Sequence, residues 1–237
     1  MNFKIDRKIF ERFPGLTIGF VICKDLDNSG NPEEIQKKIR NQENNIREKY
    51  SAETLSQTPK IDVWRKAYSS FGAKPKENKS SVENLYRLIL RGINLRHINK
   101  LVDVYNLISL KHMVPIGGED IDKIQGDVIL TFAESNEPAV LLLGDKEPKP
   151  PRAGEVIYKD NISAICRRWN WREADRTKFT EDTKNCFLVI EGLPPATKQE
   201  IENAAKELKN LVQKFCNGNI VYKMLDEKQA EISEEGL

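Results

Sequence analysis

Residues 166–177 read Cys-Arg-Arg-Trp-Asn-Trp-Arg-Glu-Ala-Asp-Arg-Thr, and no other stretch limits the fold so strongly. Four arginines, two tryptophans and two acids crowd into a dozen residues. Their spacing matches neither a helical stripe nor a long alternating strand. Indole rings favour burial, while guanidinium forks stay paired or wet. A plain core accommodates that mixture poorly. The wall of a polar pocket suits it, with guanidinium groups holding an anion or a carbonyl between indole walls. The competing reading is an exposed edge strand whose arginine forks stack on the rings.

The rest of the composition narrows the class. The 237 residues are 39% hydrophobic and 31% charged, enough for a substantial core under a wet surface. A net charge of +2 argues against a nonspecific DNA coat but permits a local basic patch. No apolar run is long enough to span a bilayer, and Met1 to Asp6 lacks the apolar stretch of a secretory signal. Cys23, Cys166, Cys186 and Cys216 lie far apart, without zinc or redox spacing, and read as reduced thiols acting as small apolar residues. The expected setting is the cytoplasm. With only His97 and His112, no histidine-built metal site is expected.

Leu16 to Cys23 is an apolar, β-rich run and reads as a buried strand. A turn follows, and Pro32 opens a charged helix through about Tyr50. A second helix runs from Asp62 to near Phe71 and Gly72. Ser80 or Ser81 caps a third, Val82 to Arg91, and Asn99 caps a fourth through about Met113. Asp103 and Asn106, three apart, share a face of that helix. Pro115 and Gly117-Gly118 end the unit in a turn. Strands are expected at Val128 to Phe132, Ala139 to Leu143, Glu155 to Tyr158, Ser163 to Cys166, Phe187 to Glu191 and Asn219 to Tyr222. Thr197 caps a helix to about Phe215, and residues 226–237 are expected to be a frayed acidic tail. No repeat or composition break divides the chain. It reads as one α+β domain over residues 1–237, a mixed sheet with flanking helices.

Two further segments are candidates for chemistry. The helix start at Ser81-Val82-Glu83 offers free N–H groups to an oxyanion, or is an ordinary cap. The loop carrying Lys74, Lys76 and Lys79 is either a phosphate contact or a solvated loop.

The order of the motifs then carries a resemblance. Asn99-x-x-Val102-Asp103-x-x-Asn106 precedes Gly117-Gly118-Glu119-Asp120, and Asp175 precedes Thr180-Glu181-Asp182-Thr183-Lys184-Asn185. Together these resemble the editing, tRNA-binding module of the phenylalanyl-tRNA synthetase beta subunit. Trp64-Arg65-x-x-Tyr68, Ser81-x-Glu83-x-Leu85 and Arg167-x-Trp169-Asn170-Trp171-Arg172 resemble that module's free-standing relatives more closely. The likeness is strongest over residues 61–191.

The resemblance implies a trans-editing hydrolase that cleaves the ester of mischarged aminoacyl-tRNA. The partner is the aminoacylated 3′ end of tRNA, with no membrane, no ATP, no cofactor and no metal. Asp175 stands near the family's pocket acid, with Glu173 as the alternative. Asp175, Asn106 and Arg172 are the expected reacting groups: an acid for the ammonium or the water, and donors for the oxyanion. Arg65, Tyr68, Phe71, Ser81, Glu83, Arg167, Trp169, Asn170 and Glu173 are expected to bind substrate, and Lys74, Lys76 and Lys79 to touch RNA. The family carries a histidine in the turn where this chain has Gly117-Gly118, so any work of that imidazole falls to other groups. The alternatives are a non-catalytic tRNA- or RNA-binding module and an amino-acid-binding protein.

Overall fold

The apolar run near residue 20 becomes strand β2 (Thr17–Lys24), in which seven residues of eight are buried. A strand apolar on both faces needs cover on both, and the architecture supplies it. The computed structural model describes residues 1–233. β2 lies within a four-stranded antiparallel sheet ordered β3 (Ile116–Asp120), β8 (Cys186–Gly192), β2, β9 (Asn219–Leu225). Ile18, Phe20, Phe187 and Val189 face one way, and Val21, Cys23, Leu188 and Ile190 the other.

The first set meets a six-stranded mixed sheet ordered β10 (Glu231–Ser233), β1 (Asn2–Ile5), β4 (Val128–Phe132), β5 (Val156–Lys159), β6 (Ala164–Arg167), β7 (Arg172–Glu173). Only β1 and β4 pair in parallel there. Phe3 and Phe20 meet at the seam with ring centroids 4.4 Å apart, and Phe20 stacks on Phe187 at 5.4 Å. The second set is covered by α5 (Lys100–His112) and α6 (Lys198–Cys216). Helices α2 (Glu33–Lys49), α3 (Pro59–Ser70) and α4 (Ser81–Leu90) join α5 in a smaller cluster around Ile46, Ile61, Tyr86 and Leu110. Short α1 (Arg7–Arg12) adds Ile9 and Phe10 to the main core.

The α+β class with a mixed sheet is as expected, and the caps are where the sequence put them. Ser80 accepts from the Glu83 N–H, Asn99 from Val102 at 3.0 Å, and Thr197 and Glu200 form a capping box. Three expectations need correction. Gly117-Gly118 is no turn: both lie in β3, paired to β8. A Cβ on Gly118 would sit 2.1 Å from the Phe187 carbonyl oxygen, so only glycine lets the strands approach. Residues 139–143 form isolated bridges, Val140 to Lys149 and Leu142 to Ala174, because prolines on both sides stop a ladder. The tail is ordered as far as Ser233, where β10 pairs with β1; residues 234–237 lie outside the described residues. β1 and α1 were not anticipated, since four and six residues are too few to show a period.

All four cysteines are buried free thiols. Among the described residues, no helix is long and apolar enough to cross a membrane.

Candidate binding cavity

The aperiodic Arg–Trp segment is the connection between β6 and β7. Arg168 and Trp169 take φ of +49° and +66°, a left-handed pair of non-glycine residues. Each such residue is disfavoured by on the order of 1–3 kcal/mol and persists only where its surroundings fix it. Here the surroundings are specific. The Trp169 N–H donates to the Val156 carbonyl at 2.6 Å. Its indole is fully buried, 5.0 Å edge-on from Trp64 and 4.7 Å from Phe13. The turn drives the indole inward, where Nε1–H donates to Glu191 Oε1 at 2.6 Å.

Glu191 is 1% exposed. It also accepts from the Tyr158 hydroxyl and from Asn170 Nδ2 at 2.7 Å. Tyr68 donates in turn to Asn170 Oδ1 at 2.8 Å. Burial pushes the Glu191 carboxyl up to about 7, against three hydrogen bonds that favour the ionised form.

These groups wall a cavity of about 720 Å³ between α4, α5 and the two sheets. Leu85, Val102, Tyr105, Ile116, Ile165 and Phe179 make most of its surface apolar, and exposed Ile98 and Leu143 stand at its rim. Two more carboxyls line it. Glu173 is half-buried, surrounded by protein yet touching the cavity. Burial raises it to about 7, opposed by a hydrogen bond from the Gly118 N–H. Glu119 is 3% exposed and is raised well above its ordinary value, first by burial and then by Glu173. Glu119 Oε2 and Ser81 Oγ are buried without a hydrogen-bond partner. Gly117 leaves room for this group, since a Cβ there would meet Glu173 Oε1 at 3.0 Å. An apolar chamber with carboxyls poised near neutrality can bind a cation, exchange protons and hold an apolar side chain.

The structure sorts the expected site residues. Asn106, Ser81, Trp169, Asn170, Arg172 and Glu173 all line the cavity. Arg172 also stacks on Trp171 at 4.7 Å and bonds Asp145 at 2.6 Å. Tyr68 stands one layer behind through Asn170, and Phe71 packs on Tyr68 at 5.3 Å. Arg65, Glu83, Arg167 and Asp175 lie outside the cavity lining. Asp175 does not line the cavity; it is half-exposed and paired with Lys178 at 2.6 Å, because its backbone has left β7 to bond Leu141. Glu83 is fully buried between Arg65 at 2.8 Å and Arg87 at 2.7 Å, so Arg65 and Glu83 hold α3 to α4. Arg167 forks onto Glu155 at 2.9 Å and 3.0 Å and fixes the 149–155 loop. Asp103, three residues before Asn106 on the same helix, pairs with His97 at 2.6 Å.

Lys74 and Lys76 line a shallow surface groove with Arg65 and Lys66, and Lys79 bonds the Lys76 carbonyl at 2.6 Å.

Sequence reasoning missed Glu119 and Glu191 as site groups. Each had a signal. Glu191 ends an apolar strand that is buried throughout, and Glu119 follows two glycines in another.

Comparison with known proteins agrees with the sequence resemblance. Over 119 residues the chain is 26% identical to the phenylalanine–tRNA ligase beta subunit of Fusobacterium nucleatum, covering 50% of this chain and 14% of that protein. The beta subunit of Bordetella pertussis is 29% identical over 93 residues, 39% of this chain and 11% of that one. The matched region is thus a small part of those ligases. The uncharacterized protein YhzB of Bacillus subtilis is 21% identical over 218 residues, 92% of this chain and 96% of its own. A crystal structure of an N-terminal fragment of the Pyrococcus horikoshii phenylalanyl-tRNA synthetase beta subunit superposes with a TM-score of 0.47 and 14% identity, covering 94% of this chain and 54% of that one. The B3/4 domain profile matches residues 63–234, which hold the whole cavity lining and every described strand except β1 and β2, and the chain belongs to the B3/4 domain family.

Proposed function

We propose that this protein hydrolyses the ester of mischarged aminoacyl-tRNA, acting on tRNA that another enzyme has charged. The observation that carries the reading is the cavity: an apolar chamber with interior carboxyls, in a B3/4 domain related to tRNA ligase beta subunits.

In this reading the aminoacyl end enters past Ile98 and Leu143. Leu85, Val102 and Phe179 receive the amino-acid side chain. Arg172 and Asn106 donate toward the carbonyl oxygen as it gains charge, and removing one such donor raises a barrier by on the order of 3–4 kcal/mol. Glu173, with a carboxyl near 7, accepts the proton of the attacking water. Water adds to the carbonyl carbon, the ester C–O bond breaks, and the tRNA 3′ oxygen leaves with a proton. Ester hydrolysis runs downhill, so no ATP is required. The basic groove of Lys66, Lys74 and Lys76 contacts tRNA phosphates.

The test is a panel of mischarged tRNAs in ATP-free buffer, with ester loss followed over time. Turnover on at least one, lost in Glu173→Gln, is expected. Binding of tRNA without turnover selects an RNA-binding module instead. Binding of a free amino acid without tRNA selects an amino-acid-binding protein.

A further inference from the structure

We propose that Glu119 and Glu173 together form a subsite for a primary ammonium group, and that occupation of it ionises the pair. The inference rests on the aminoacyl-ester reading for its natural ligand, the α-ammonium of the ester.

Three observations converge. Glu119 is 3% exposed and lines the cavity; its Oε2 has no partner within hydrogen-bond geometry, and the buried Thr177 hydroxyl beside the carboxyl, equally unpartnered, favours its ionised form. A buried carboxyl oxygen with no donor is disfavoured; Glu83 Oε2 shares that state away from the cavity, whereas Glu119 opens onto it, where a ligand can complete it. Glu173 lines the same cavity, and its charge bears on Glu119 more than any other. Gly117 supplies the room, since a Cβ there would crowd Glu173 Oε1 at 3.0 Å.

The surroundings explain why the ligand must bring the positive charge. Tyr105 of α5 and Cys166 of β6 face the pair, and both are pushed up by burial and by these two acids. Asp160 adds a further negative charge. Arg176 is a cation acting on Glu119, but it is bound to Asp160 at 2.9 Å. Lys178, on the cavity wall, is bound to Asp175 at 2.6 Å. Glu191 is satisfied by three neutral donors. The empty pair therefore keeps proton as its counter-charge. A ligand ammonium replaces it, two N–H bonds reach the carboxylates, and the proton leaves to solvent. The same event leaves Glu173 ionised and able to accept the proton of water. Apolar walls around the pair favour an amine carried beside an aliphatic or aromatic group over a bare hydrated ion.

Leucine and phenylalanine methyl esters, beside their des-amino counterparts, are suitable probes. Calorimetry in two buffers of different ionisation enthalpy reads both affinity and proton release. The esters should bind and release proton below pH 7, with the part of the release owed to Glu173 fading above about pH 8. The des-amino probes should bind at least about ten-fold more weakly and release none. Glu119→Gln should weaken the amino esters about ten-fold while leaving the des-amino probes unchanged, which a merely misfolded cavity would not do. Gly117→Ala, which presses on Glu173, should weaken the amino esters in the same selective way. Equal binding of both probe types, binding without proton release at pH 6.5, or equal displacement by calcium or manganese would overturn the proposal. So would failure of the wild type to bind any amino ester. Turnover of mischarged tRNA with unaltered KM in Glu119→Gln would remove the subsite and leave the hydrolase standing. Ammonium-linked binding without turnover would do the reverse.

Discussion

Two sets of buried carboxyls divide this molecule. Glu83 and Glu155 each meet arginine: Glu83 takes Arg65 and Arg87, and Glu155 takes both arms of the Arg167 fork and the Arg168 N–H at 3.1 Å. Glu191, Glu173 and Glu119 meet neutral donors or none: three side-chain donors, one backbone N–H, and an orphaned oxygen. The first set is held by guanidinium partners, although Glu83 keeps one buried oxygen, Oε2, without a partner, and it clamps α3 to α4 and the 149–155 loop to β6. The second set lacks a cationic partner and opens onto a cavity. A buried acid with a guanidinium partner is a fastening. A buried acid without one is a receptor awaiting charge.

The largest expected effect breaks the first set. Arg167→Ala leaves Glu155 buried without its fork, and losing one partner of such a pair destabilises by about 3–5 kcal/mol. Urea unfolding, with unchanged m, reads this directly. A loss below about 1 kcal/mol would mean that the pair is no more than a wet surface contact, and the comparison would fail.

The second set should respond to pH in the opposite sense to a fastening. Glu173 and Glu191 are raised from 4.5 to about 7 in the folded chain. The folded state holds those protons more tightly than the unfolded one. Their contribution is therefore fully present below about pH 4.5 and is lost as pH rises toward 7. The loss is on the order of 1–3 kcal/mol for each, with Glu173 at the lower end because it touches cavity water. Glu173→Gln should flatten the profile between pH 5 and about 7 and stabilise the ligand-free protein at pH 8. A variant less stable than wild type at pH 8 would show that Glu173 fastens rather than receives.

That division was only half legible in the sequence. Helix caps and buried strands were readable because local chemistry fixes them: Asn99 and Thr197 cap, and β2 and β8 are apolar throughout. The aperiodic 166–177 segment marked the pocket wall for a reason that became clear in three dimensions, the left-handed pair at Arg168 and Trp169. What failed was the sorting of charges. Arg65, Glu83 and Arg167 carry conspicuous motifs, yet their partners, Arg87 among them, are set by packing between elements. Glu119 and Glu191 looked like ends of apolar runs, and their meeting in one chamber depends on β3 pairing with β8. No local pattern encodes that pairing.

A smaller effect concerns the groove. Lys74 and Lys76 line it beside Lys66, and Lys74 is already near Glu77 at 3.4 Å. Changing Lys74, Lys76 and Lys79 to Gln should weaken tRNA binding by about ten-fold at low salt and lower the salt slope by about 2, with turnover at saturation unchanged. An unaltered slope would move the RNA contact elsewhere and leave the cavity as a receptor for a small ligand.

The smallest effect separates two acids two residues apart. On a continuous strand, Glu173 and Asp175 would share a face. β7 ends at Glu173, however, and the Asp175 N–H turns to the Leu141 carbonyl at 2.9 Å. Its carboxylate then meets Lys178 at 2.6 Å, both side chains 39% exposed, an ordinary surface pair worth under about 1 kcal/mol. Asp175→Ala should therefore change kcat/KM on mischarged tRNA by less than about five-fold, whereas Glu173→Ala should lower it by about a hundred-fold or more. The small residual effect has a direction. Lys178 lines the cavity, and once freed from Asp175 it can swing toward Glu119 and Glu173 and compete with the ligand ammonium. The change should thus appear as a raised KM with kcat held, and should vanish in the double variant with Lys178→Ala. A fall in kcat of a hundred-fold in Asp175→Ala would place the reacting acid on the Lys178 side, and the cavity carboxyls, which lack a cationic partner, would lose their claim to the chemistry.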